Sequence, residues 1–118
     1  MPAYSLTALD DAERTGGWHL VRRALDLQAF GLNVVRIAPG TSIPEHDETG
    51  RDQEEVFLTL EGEPTIVLDG ERLPLPRWTF ARVDPQVVRT VANDGSAEAV
   101  VLIASAPRTS GYEPMGWA

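Results

Sequence analysis

Apolar residues along the chain gather in short runs, at 19–25, 32–37, 56–60, 65–68, 79–83, 87–91 and 97–103. Runs of this length, bounded by turn residues, have the dimensions of strands, and seven or eight short strands are predicted. Within 56–60, Val56, Leu58 and Leu60 alternate with Phe57, Thr59 and Glu61, a period of two that puts one of the two sets in a core. Turn chemistry falls between the runs at Pro39-Gly40, Glu61-Gly62-Glu63-Pro64, Asp69-Gly70 and Asn93-Asp94-Gly95, where Gly and Asn supply positive φ. No long stretch carries helical periodicity, and 8–14 offers at most one short helical turn. The pattern predicts an all-β antiparallel sandwich or barrel with little helix.

Length changes this picture only by fixing the count: 118 residues bury one core, so the chain reads as a single domain over 1–118, with a barrel core at about 18–106. No apolar run approaches the ~18–20 residues of a membrane-spanning helix. The start, Met1-Pro2-Ala3-Tyr4-Ser5, lacks the basic and apolar character of a secretory signal, which makes the cytoplasm the expected location. Without cysteine, disulfides, thiolate metal sites and cysteine nucleophiles are excluded. The formal charge of −8 argues against nucleic-acid binding, which needs clustered cations. All ten basic residues are arginine, and the one adjacent pair, Arg22-Arg23, reads as a solvated patch on a strand. The segment 107–118 places Tyr112 and Trp117 at the chain end and is expected to dock on the barrel or on a partner subunit.

Candidate chemistry lies between Gly40 and Gly62, in Gly40-Thr41-Ser42-Ile43-Pro44-Glu45-His46-Asp47-Glu48, a polar loop at 49–54, and Glu55-Val56-Phe57-Leu58-Thr59-Leu60-Glu61-Gly62. This resembles the first cupin motif, in which glycine, His-x-His, glutamate and glycine recur at set spacings. Gly40, His46, Glu55 and Gly62 fall on it, while Glu48 takes the place of the second histidine and the following spacer is longer. The run 78–93 resembles the second cupin motif: Asn93 matches, Arg89 stands where the last histidine is expected, and Trp78 stands at the first glycine. The resemblance implies a double-sheet jelly-roll barrel.

In metal-bearing cupins the three histidines and the glutamate face inward and hold a transition metal. Here His46 and Glu55 remain, and Glu48 is a substitute oxygen ligand if an ion is held. A guanidinium cannot coordinate, so Arg89 is expected to replace the ion and pair with Glu55. The favoured expectation is a metal-free, small-molecule-binding cupin with His46, Glu55 and Arg89 as its polar groups and a small carboxylate or phosphate as ligand. The alternative is a metal-dependent cupin enzyme, an oxygenase or isomerase, using a divalent metal on His46, Glu48 and Glu55. Glu48, Asp52 and Glu54 read as solvated loop carboxylates, His19 as an edge or interface residue, and Phe57, Trp78, Phe80 and Trp117 as core or interface aromatics. A homodimer paired through the N-terminal strand region and the aromatic tail is expected.

Overall fold

The structure is a computed structural model that describes residues 3–118; Met1 and Pro2, part of the N-terminal segment considered above, lie outside the described residues. Nine strands are described: β1 (Arg14–Thr15), β2 (Trp18–His19), β3 (Gly31–Ile37), β4 (Gln53–Glu61), β5 (Thr65–Leu68), β6 (Glu71–Pro74), β7 (Phe80–Val83), β8 (Arg89–Ala92) and β9 (Ala99–Pro107). They form a six-stranded antiparallel sheet in the order β1-β2-β3-β9-β4-β7 and a three-stranded antiparallel sheet in the order β6-β5-β8. Segment 42–46 extends the smaller sheet through single bridges, Ser42 to Ala92 and His46 to Arg89. The sheets enclose one core in jelly-roll fashion, without a hydrogen-bonded ladder closing them into a full barrel. Among the described residues, no helix is long and apolar enough to cross a membrane.

Alternation sets which faces meet. On β4 the inward set is Glu55, Phe57 and Thr59, all buried, while Val56, Leu58 and Leu60 are half-buried on the other face. Phe57 belongs to one buried cluster with Val35, Val101 and Ile103 of the same sheet and Ile66 and Val91 of the facing one. Asn93 pins the end of this core: its amide nitrogen donates to the Ile37 and Ala97 carbonyls at 2.8 Å each, and its Oδ1 accepts from the Gly95 amide at 3.0 Å. Trp78, standing at the first glycine position of the second motif, has φ 64°, in the left-handed region that favours glycine.

Several expectations need correction. The run 19–25 is a strand only at its start: Val21–Leu25 forms a short helix, α1, capped by Asp26 in the left-handed conformation at φ 55°, so Arg22 and Arg23 lie on a helix. His19 is buried rather than at an edge or interface, since Arg36 Nε donates to its Nε2 at 2.9 Å and its Nδ1 lies 3.2 Å from the Leu9 carbonyl. Of the aromatics expected in a core or an interface, Phe57 is in the core, whereas Trp78, Phe80 and Trp117 lie outside it and are exposed on the single chain. The tail beyond Pro107 is exposed and is not covered by its own barrel, though Arg108 ties its start to Asp52 by an ion pair at 2.7 Å and a backbone hydrogen bond from its amide to the Asp52 carbonyl at 3.1 Å.

Candidate functional site

The inner face of the larger sheet changes character along the strands. Thr59 and Val101 lie deep; one inward step outward come Phe57, Ile103 and Asn33; one further step brings Glu55, Ser105 and Gly31; Gln53 and Pro107 form the mouth. The period of two thus delivers Glu55 to the point where the apolar core gives way to polar side chains. From the facing side, His46 and Arg89 exchange backbone hydrogen bonds, His46 N to Arg89 O at 3.0 Å and Arg89 N to His46 O at 2.8 Å. Directly opposed residues present their side chains on the same face, so this bridge brings an imidazole and a guanidinium together against Glu55.

The register that counts back from Asn93 therefore places Arg89 beside the glutamate. Its side chain is fully buried, with Nη1 3.4 Å from Glu55 Oε1 and Nη2 donating to the Asp84 carbonyl at 2.6 Å. The contact with Glu55 is an ion pair without the alignment of a hydrogen bond: Glu55 Oε1, Arg89 Nη1 and Arg89 Nε are buried with no hydrogen-bond partner. Burial holds the Glu55 carboxyl above the ordinary glutamate range, with Arg89 drawing it the other way and Glu48 adding to the rise.

His46 is better supplied. Its Nδ1 lies 3.0 Å from the Pro44 carbonyl, which can only accept, so that nitrogen carries hydrogen and Nε2 is directed at the carboxylates. Nε2 stands 3.3 Å from Glu48 Oε1 and 3.8 Å from Glu55 Oε1. Glu48, expected as a solvated loop carboxylate, is buried to 8% exposure because its amide bonds to the Pro85 carbonyl at 2.9 Å and turns the side chain inward; Arg51 Nε approaches its other oxygen at 3.5 Å. Asp52 and Glu54 stay at the surface, as expected.

His46, Glu48 and Glu55 offer one donor atom each within 4.8 Å of one another, close enough to hold a metal ion. The donor set of one imidazole and two carboxylates suits a divalent cation. Arg89 does not suit one, because its fixed positive charge lies against the Glu55 oxygen that an ion would need. Without an ion, Glu48 is the carboxylate nearest Nε2, at 3.3 Å, while Glu55 at 3.8 Å lies beyond hydrogen-bond reach of it.

These groups open onto a cleft of about 170 Å³ whose apolar walls are Trp18, Leu32, Phe57 and Ile103 and whose further polar groups are Asn33 and Ser105. Arg89 does not line the cleft; it stands behind Glu55. Asn33, Ser105 and Trp18 escape sequence reasoning. The signal for the first two is a polar residue at an inward position of an otherwise apolar strand, legible once the sheet face is known.

A family model described as a cupin domain matches residues 33–105, which include every residue of the cluster. No curated protein matches the chain at a significant level. Among solved structures, a cupin protein from Bacteroides fragilis is 19% identical with a TM-score of 0.78, covering 99% of this chain and 94% of that one. A protein from Silicibacter pomeroyi, named a sugar phosphate isomerase from a cupin superfamily, is 23% identical with a TM-score of 0.68, covering 90% and 69%. A predicted oxalate decarboxylase from Thermotoga maritima is 19% identical with a TM-score of 0.59, covering 64% of each chain. At these identities the likeness is one of fold.

Proposed function

The chain belongs to the cupin domain family, and on that premise we propose that it is a metal-free cupin that binds a small anionic molecule between its two sheets, with His46, Glu48 and Glu55 at the cleft and Arg89 behind them. The observation that carries this reading is the fully buried Arg89 guanidinium, 3.4 Å from Glu55 at the register position of a metal-binding histidine. Like charges a few ångströms apart in a poorly solvated interior repel, so a cation built into the chain makes a second, divalent one costly there. The same charge offsets one of the two cleft carboxylates and so lowers the cost of an anion nearby, through its field and not by contact, since Glu55 intervenes. Sugar phosphates and oxalate, the compounds in the names of two structural neighbours, belong to the same ligand class.

The test is the metal content of protein purified without a histidine tag. Substoichiometric zinc, nickel, manganese and iron are expected, with Arg89→His raising zinc or nickel affinity by supplying a second imidazole. One ion per chain in the unaltered protein overturns the reading. The three donors within 4.8 Å give the second reading its specific ground. In that reading the chain is a metal-dependent enzyme of oxygenase or isomerase type, His46, Glu48 and Glu55 hold the ion, and the ion supplies Lewis-acid chemistry.

A further inference from the structure

Outside the cleft, the inner face of β3, β4 and β9 continues into a larger groove of about 400 Å³ at the mouth. Asn33 and Ser105 line both spaces, so the groove begins where the cleft ends. Gly31, opposite Ser105 on the neighbouring strand, keeps this junction open: a Cβ there would lie 2.5 Å from Ser105 Oγ.

The charges of the two spaces are opposite. The cleft carries the carboxylates of Glu48 and Glu55 and no arginine. The groove is lined by Arg22 of α1 and Arg51 of the turn before β4, and by no carboxylate, in a chain that holds 18 acidic against 10 basic residues. Between the arginines, Gln28 and Gln53 add neutral polar groups. Arg22 is fixed in place by one of its nitrogens, Nη1 donating to the Leu27 carbonyl at 3.1 Å, while Arg51 is exposed and touches Glu48 only through Nε at 3.5 Å. Size points the same way as charge, because a cleft of about 170 Å³ falls below the ~300–1,000 Å³ usual for ligand sites, whereas the groove falls within that range.

We propose that the groove is the anion subsite: Arg22 and Arg51 hold a phosphate or carboxylate group, and the rest of the same molecule passes Asn33 and Ser105 to present hydroxyl hydrogen-bond donors to Glu48 and Glu55. This deepens the metal-free binding reading and rests on it for the inner half of the ligand. The ligand class is a hydroxylated organic phosphate or acid. A guanidinium fork matches such an oxyanion, and carboxylates accept from hydroxyls.

The test uses the full chain, followed by amide chemical shifts, with three probes: inorganic phosphate, glycerol 3-phosphate and glycerol. Both phosphates are expected to shift the amides of Gly31, Asn33, Gln53 and Ser105, and glycerol 3-phosphate to bind about tenfold more tightly than inorganic phosphate. Arg22→Gln should weaken both phosphates about tenfold. Arg51→Gln, on the other wall, should do the same, so that a loop disturbed by one substitution does not decide the matter. No saturable binding of either phosphate, shifts confined to another surface, or affinities unchanged in both variants would overturn the proposal, as would glycerol binding as tightly as its phosphate. The two readings fail separately. Stoichiometric metal removes the metal-free inner site while leaving phosphate shifts at the groove, whereas a metal-free protein that ignores phosphate removes the outer subsite alone.

Discussion

At the scale of single residues, Arg89 and Glu55 set the energetics of the site, because each is a buried charge with incomplete hydrogen bonding. Arg89→Ala leaves Glu55 without its cation and should cost about 3–5 kcal/mol of unfolding free energy, measurable by urea denaturation. Glu55 gives a second measurement. Its carboxyl is raised above the ordinary 4.5, chiefly by burial, so folding favours the protonated form. That contribution is full below pH 4.5 and is lost as pH rises through the raised value. Glu55→Gln, which mimics the protonated acid, should therefore flatten the dependence of stability on pH above 4.5, as denaturation at several pH values will show. Counting registers from Asn93 and Gly40 placed Arg89, His46 and Glu55 together. The same count put Glu48 at the second histidine position, beside them only in the metal-bound alternative; its inward turn without an ion depends on a backbone bond to Pro85, a residue distant in sequence.

At the scale of elements, strands that face a core on one side and end at glycine turns were legible: 65–68 coincides with β5, and 32–37, 56–60 and 79–83 fall within a few residues of β3, β4 and β7. The run 19–25 misled because Val21, Ala24 and Leu25 are also spaced as one face of a helical turn, and so short a run cannot distinguish the two. Strand β6 was missed because Glu71-Arg72-Leu73-Pro74 is exposed throughout and ends in proline, as sheet-edge strands can. The turns allow a quantitative comparison. Gly70 has φ 83° and open space around a Cβ, so Gly70→Ala should cost only the left-handed strain of about 1–2 kcal/mol. Gly62, at φ 81°, would bring a Cβ within 2.9 Å of the Ala99 Cα and the Glu98 carbonyl, and its alanine variant should cost clearly more. Thermal unfolding of the two variants side by side checks the order.

At the scale of the whole molecule, large apolar side chains stand uncovered on the tail (Tyr112, Met115 and Trp117) and beside the edge strand β7 (Trp78 and Phe80). Surface of this kind is what a second subunit would cover. The expected homodimer should give a light-scattering mass of twice the 12.9 kDa monomer at micromolar concentration, and removing residues 109–118 should shift it toward the monomer. A monomer mass for the full chain, or a dimer indifferent to the truncation, would count against a role for the tail.

The bridge between His46 and Arg89 also bears on the order of events in folding. It joins segments distant in sequence along the smaller sheet, whereas the β5–β6 hairpin closes through a two-residue turn. Long loops close late because their entropy must be lost before their contacts form, so the barrier to folding should be crossed while Arg89 and Glu55 are still hydrated. Arg89→Ala should then leave the refolding rate nearly unchanged and accelerate unfolding, which stopped-flow chevron plots can separate.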